Sequence, residues 1–288
     1  MGAPKCGTTA MDEYLKQHPD IFMAKKSLDF FGTDLPLKIR PAEKEYLSFF
    51  QEEANKKIYG DASVYYLYSK LAASEIKEFS PDAKILIMLR NPVTMAYSLH
   101  SQNIYEGNED IRDFETAIQL DEERRKGNKQ PKCVDFTSLP PYKDIGLFAD
   151  QVKRYLDVFG KENVHILIYE EFAKDPETST KGVLAFLGVD MNHPIEYRVI
   201  NPNKKIRLLF LHRLIKKPSV PLRAIVRILI PFKDVRHGIM NYLQNWNIRV
   251  KSRTGLHLKL QKQLKTYFTD DIQKLSNLIN KDLSAWLS

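Results

Sequence analysis

The chain is predicted to be an α/β protein with a central parallel sheet and a helical subdomain at its C-terminal end. Three observations predict this. Short apolar runs rich in β-branched residues occur at KIYGD (57–61), AKILIMLR (83–90) and NVHILIYEE (163–171), as in strands buried on both faces. Helix-length amphipathic patterns separate them. A glycine-bearing turn, MGAPKCGTT, precedes the first such pattern.

Taken in order, helices are expected at about 8–17, 67–79, 92–105, 113–126, 143–159 and 176–187. Pro92 suits the first turn of its helix, and Gly188 after VLAFL is a stop signal. The stretch 207–230 is amphipathic and basic, with Pro218 and Pro221 separating one helix from the next. A long periodic helix is expected over 256–287. No linker stands out, so one domain over 1–288 is expected: an α/β core (1–200), a basic helical segment (201–253) and a C-terminal helix (254–288).

Hydrophobic residues make up 43% of the chain, which suits a folded enzyme and excludes a disordered one. No apolar run reaches the roughly 18–20 residues of a membrane span, and no signal peptide is visible. Cys6 and Cys133 make no disulfide framework, so a cytoplasmic setting is expected. Net charge is +8 but uneven: 201–253 holds 13 Lys and Arg against Asp234, while the remainder carries 31 basic and 35 acidic residues. Such asymmetry points to a local anionic partner, an anionic glycan or membrane surface, rather than to nucleic acid.

The opening turn keeps the glycine spacing of a phosphate loop at Gly2 and Gly7, but Thr8 stands where that loop has lysine, and the lysine is Lys5. If Met1–Ala3 ends a strand and Thr8 opens a helix, the loop N–H groups and the Thr8 and Thr9 hydroxyls form an anion site. Lys5 could then reach a bridging oxygen between two anionic groups. The plainer alternative is a glycine turn with a surface lysine. LRNPVTMAYSLH (89–100) adds Arg90 at the carboxyl end of a buried strand, where α/β sheets bind ligands, and Ser98 two turns into the next helix. Arginine's planar fork and the serine hydroxyl suit a phosphate.

On these residues the chain resembles the sulfotransferases that use 3′-phosphoadenosine 5′-phosphosulfate (PAPS), most closely the bacterial ones related to the heparan-type enzymes. PKCGTT is similar to their 5′-phosphosulfate loop and RNPVTMAYS to their 3′-phosphate motif; GDASVYYL, FETAI, LIYEEFAKDP, FLGV and DLSAWL extend the likeness over nearly the whole chain. The resemblance implies a P-loop NTPase-like three-layer fold. It also implies transfer of a sulfuryl group to a hydroxyl or amine of a glycan, lipid or small molecule, with adenosine 3′,5′-bisphosphate (PAP) as product and no metal. Lys5, Cys6, Gly7, Thr8 and Thr9 would hold the 5′-phosphosulfate, with Lys5 acting on the bridging oxygen. Arg90 and Ser98 would hold the 3′-phosphate, and Lys204 and Lys205 are further candidates for donor phosphates.

Two departures follow. The heparan-type relatives carry K-E-x-x-F-F with the glutamate as general base, whereas KSLDFF (26–31) has Ser27 there. Asp29, Asp61 and His100 are the candidate substitutes, Asp29 being preferred because it keeps the loop. Met1–Ala3 is also short for the strand that should feed the loop. Two rivals remain from the sequence: a catalytically impaired protein binding nucleotide or an anionic surface, and a P-loop kinase, against which the absence of G-K-[ST] counts.

Overall fold

The strand Ile85–Leu89 is buried at four of its five positions, with no polar-out alternation, because neighbours cover both of its faces. The computed structural model describes residues 2–25, 27–51, 55–198, 204–206, 232–250 and 255–288. In chain order the first half runs α1 (Thr8–Leu15), β1 (Ile21–Met23), α2 (Glu43–Ser48), β2 (Ile58–Gly60), α3 (Ala72–Phe79), β3 (Ile85–Leu89) and α4 (Pro92–Glu106). It continues through α5 (Phe114–Gln119), α6 (Asp121–Arg125), α7 (Tyr142–Ile145), α8 (Phe148–Phe159), β4 (Val164–Ile168), α9 (Tyr169–Lys174) and α10 (Pro176–Leu187). β5 (Lys204–Ile206), α11 (Lys233–Trp246), β6 (Ile248–Val250) and α12 (Leu258–Ile279) follow.

The strand pairing in the α/β core is parallel, as expected. β3 pairs with β4 from Ile85–Val164 to Leu89–Ile168, and β1 with β2 from Ile21–Ile58 to Met23–Gly60. A single parallel bridge, Gly2 to Met88, joins the opening turn to the free edge of β3, with the Ala3 N–H 3.1 Å from the Met88 carbonyl. Between β2 and β3 lies a cleft of about 530 Å³ lined by Met23, Ile58, Phe79, Ile85 and Met88. Among the described residues the sheet is therefore two parallel pairs rather than one continuous layer.

Helices cover the strands by burying one stripe each. In α8 that stripe is Phe148, Val152, Tyr155 and Phe159, which packs on β3, β4, α3 and α12. The first N–H groups of α8 are taken by the Asp271 carboxylate of α12, at 2.7 Å from Phe148 and 3.2 Å from Ala149. α4 packs on α7 and α12.

Several expectations need correction. The helix expected over 256–287 ends at Ile279, where Asn280 takes a left-handed conformation (φ 51°) that asparagine tolerates. DLSAWL is instead a turn and a short 3₁₀ helix at Ser284–Trp286, and the buried Trp286 offers its carbonyl to Asn91 Nδ2 at 3.0 Å. The patterns over 113–126 and 143–159 each break in two, at Leu120 and at Gly146–Leu147. The basic segment is not all helical: β5 and β6, near its ends, pair antiparallel from Lys204–Val250 to Ile206–Ile248, with α11 between them in sequence. The amphipathic pair at 207–230 lies outside the described residues. β1, at three residues, is too short to leave a periodic signature.

Past Gly107, which ends α4 in the left-handed region (φ 83°), Glu109 is fully buried against Arg124. The guanidinium meets it twice, at 2.7 and 3.0 Å, and Tyr142 Oη donates to it at 3.0 Å. Burial alone would raise the Glu109 pKa; these donors bring it below the usual value. Arg124→Met strands that carboxylate, and is expected to cost about 3–5 kcal/mol in denaturant unfolding, as breaking a buried pair does.

Candidate active site

The opening turn is a candidate anion cradle. Lys5 (φ 65°) and Gly7 (φ 88°) are both left-handed, which turns successive N–H groups toward one concavity at the start of α1. Gly7 is obligatory for space as well as conformation, since a Cβ there would lie 3.0 Å from the Tyr169 ring and 3.2 Å from Phe172. The Cys6 side chain is fully buried, its Sγ 3.5 Å from the Pro4 carbonyl, and burial pushes the thiol pKa far up. Only its backbone N–H can serve an anion. Thr8 is buried and Thr9 half-buried at the helix start.

Arg90 locks this turn to the end of β3. Its Nη1 donates to the Lys5 carbonyl at 3.2 Å, its Nε to Thr94 Oγ1 at 3.1 Å, and its guanidinium lies 4.5 Å from the Tyr169 ring centroid. Asn91 caps α4, accepting from Val93 N at 3.0 Å and Thr94 N at 3.4 Å. Ser98 is buried on α4. Lys5 Nζ donates to Gln102 Oε1 at 3.2 Å, and Gln102 Nε2 donates to Glu106. The sequence reading missed Gln102 and Glu106, although their spacing of four and eight from Ser98 puts all three on one helix face. β5 packs on α4, which brings the backbone of Lys204 and Lys205 alongside; their side chains lie outside the described ones.

The three base candidates fare differently. His100 is two residues from Ser98, about 200° around the helix, and so faces elsewhere. It is buried against Phe114 and Tyr142, with Nε2 2.8 Å from the Ile111 carbonyl, and burial lowers its pKa. The structure thus removes it from the site. Asp61 is enclosed: Oδ1 accepts from Ser63 Oγ at 2.7 Å, and Oδ2 from Tyr66 Oη at 2.8 Å and Tyr46 Oη at 3.4 Å. Burial raises its pKa against those bonds. Asp61 is thus held by three hydroxyls in the wall of the cleft.

Asp29 stands apart. It is half-buried, left-handed (φ 52°), and its Oδ1 is sealed from solvent with no hydrogen-bond partner among the described residues. Burial, reinforced by Asp61, raises its pKa to about 6, with Arg40 opposing. Ser27, also left-handed (φ 60°), is exposed. Among the described residues no group of three or more His, Cys, Asp or Glu is arranged to hold a metal ion.

The family model described as "Sulfotransferase domain" matches residues 1–218. Mouse carbohydrate sulfotransferase 15 is 26% identical over 240 residues, covering 66% of this chain and 43% of its own. Mouse heparan sulfate glucosamine 3-O-sulfotransferase 3B1 is 25% identical over 193 residues, covering 66% of this chain and 45% of its own. The chain thus spans under half the length of these curated relatives. The crystal structure of a sulfotransferase from Alicyclobacillus acidocaldarius superposes with a TM-score of 0.74 at 30% identity, covering 100% of this chain and 97% of that one.

The cradle supplies a stability test. Gly7→Ala places a Cβ against Tyr169 in a left-handed backbone, and should lower unfolding free energy by about 1–3 kcal/mol. Thermal unfolding monitored by circular dichroism measures it.

Proposed function

Because the chain belongs to the sulfotransferase domain family, we propose that it transfers a sulfuryl group from PAPS to a hydroxyl of a glycan-type acceptor. One observation carries the donor assignment: the left-handed Lys5–Gly7 turn and Arg90 are bonded to each other, so a phosphosulfate cradle and a phosphate-binding arginine form one unit. The acceptor class is supported by the carbohydrate and heparan sulfate sulfotransferases among the relatives.

The donor fits the residues present. The N–H groups of Cys6, Gly7, Thr8 and Thr9 would hold the 5′-phosphosulfate, and Arg90 with Ser98 the 3′-phosphate. Lys5 is the group whose charge follows the bridging oxygen as it becomes a leaving group; Gln102 keeps its ammonium on the α4 side of the turn. When bound, the donor supplies the activated sulfuryl group. The chain supplies position and charge, so catalysis is chiefly alignment and electrostatics, as in phosphoryl transfer. A kinase reading lacks the lysine after the second glycine.

Two variants separate these roles. Lys5→Ala should reduce kcat far more than PAP affinity, since its charge acts on the transition state. Arg90→Ala should weaken PAP binding by about 2–3 kcal/mol, the value of a charged hydrogen bond. Calorimetry with PAP, unchanged by EDTA, and turnover with labelled PAPS on a glycan panel make the measurement. Magnesium-dependent ATP binding with none for PAP would sink the reading.

A second reading, contact with an anionic membrane surface, is favoured by one feature. Phe232 and then Val235, Ile239, Tyr242 and Trp246 of α11 form a 3-4-3-4 stripe whose side chains are between 41% and 71% exposed. The stripe lies within the segment that carries the 13 cations. Ile239→Ser with Tyr242→Ser should reduce co-sedimentation with phosphatidylserine vesicles; unchanged binding would reject it.

A further inference from the structure

Glu106 is an acid where the helix it belongs to disfavours one. It is the last residue of α4, directly before the left-handed Gly107, and the last turn holds no basic residue to offset it. A helix C-terminus carries partial negative charge, so a carboxylate there works against the macrodipole. Its surroundings add to the cost. Burial, and then the charges of Glu106, Asp29 and Asp135, hold the Tyr65 pKa well above the usual value. Glu106 therefore shares its neighbourhood with two further carboxylates.

The side chain that meets this carboxylate on the helix surface is Gln102. Its Nε2 donates to Glu106 Oε1, and its Oε1 accepts from Lys5 Nζ at 3.2 Å. The spacing of four puts Gln102 and Glu106 on one face of α4, with Ser98 one turn before them. The two ends of a primary amide are alike in shape and opposite in hydrogen-bonding character. A carboxylate can only accept, so it takes the amide's NH₂ end and turns the oxygen toward Lys5. An ammonium can only donate, so the reversed amide would set donor against donor. Glu106, Gln102 and Lys5 thus form a row with opposite charges at its two ends.

We propose that Glu106 is a positioning residue for sulfuryl transfer, fixing the Gln102 amide and through it the Lys5 ammonium on the α4 side of the opening turn. This rests on the sulfotransferase reading. The Arg90 bond fixes the backbone of Lys5 but leaves its flexible stem to be aimed by what the tip meets. A cation already in place needs no reorganisation when charge develops on the bridging oxygen. Ser98, the group assigned to the 3′-phosphate, lies on the same helix face, so one face of α4 aligns both anionic ends of the donor. Glu106 acts at a distance from the reacting atoms, through Gln102 and Lys5.

A residue kept for packing alone would take stability with it when replaced. Glu106 stands against the helix dipole and among like charges, so its removal should spare or stabilise the fold while slowing the reaction. That opposition is the pattern expected where function is maintained at a cost to stability.

Two substitutions test this: Glu106→Leu removes the acceptor, and Glu106→Gln keeps an acceptor oxygen without the charge. Glu106→Leu should lower kcat about 10–100-fold with labelled PAPS and a glycan found on the panel, the loss typical of a misplaced group. PAP affinity and the KM for PAPS should be unchanged. Glu106→Gln should recover part of the lost kcat, and neither variant should melt below the wild type. In a Lys5→Ala background, Glu106→Leu should lower kcat no further, since the two residues act as a unit. Unchanged kcat in Glu106→Leu overturns the proposal. So does an equal loss in the Lys5→Ala background, or a fall in Tm that accompanies the loss of activity. Wild-type protein that does not bind PAP overturns the sulfotransferase reading instead, which separates the two failures.

Discussion

The bond from Arg90 to the Lys5 carbonyl is the interaction on which the rest of the site depends. Lys5 sits in a left-handed conformation that costs a non-glycine residue about 1–2 kcal/mol. Something must hold that carbonyl where the turn leaves it. Arg90 does so from the end of β3, and its own position is fixed by stacking on Tyr169 and by Thr94 in the first turn of α4. Tyr169 in turn excludes a side chain at Gly7. The opening turn is therefore jointed to β3, α4 and α9.

The residue next to that joint ties in the far end of the chain. Asn91 caps α4 with its side-chain oxygen and gives its amide to the Trp286 carbonyl, while its backbone N–H goes to Glu170 at 3.1 Å. The terminal 3₁₀ turn thus braces the helix that carries Ser98 and Gln102. At the other end of α4 the buried Glu109–Arg124 pair fixes the chain just past the helix. A helix held at both ends keeps Gln102 against the Lys5 ammonium.

What was legible in the sequence was what is local in the backbone. The glycine turn, Arg90 at a strand end and the Ser98 spacing are properties of a few consecutive residues, and the structure brings Lys5 and Arg90 into direct contact. The base candidates were not separable, because their fates turn on partners far along the chain. Asp61 is absorbed by Tyr46, Ser63 and Tyr66, and His100 by Ile111, Phe114 and Tyr142. Helical geometry could have removed His100 earlier, since two residues turn the side chain about 200° away from Ser98. No sequence pattern announces that Arg40 will gather the four carbonyls of residues 29–32, and none distinguishes the three-residue β1 from a loop.

Buried carboxylates give the fold a pH dependence. Asp29 and Asp121 both titrate near 6 when folded, chiefly because burial raises them, although Asp121 also accepts N–H bonds from Tyr142 and Lys143. Unfolded aspartates titrate near 3.9. Between about pH 4 and pH 6 the folded chain therefore holds more protons than the unfolded one, so stability falls as pH rises through that window. At neutral pH both groups are ionised at a cost to the fold. For Asp121 the carboxylate repays part of that cost by capping α7. Asp29 Oδ1 receives no such return: it is buried with no hydrogen-bond partner among the described residues, so keeping that carboxylate ionised weighs more heavily on the fold.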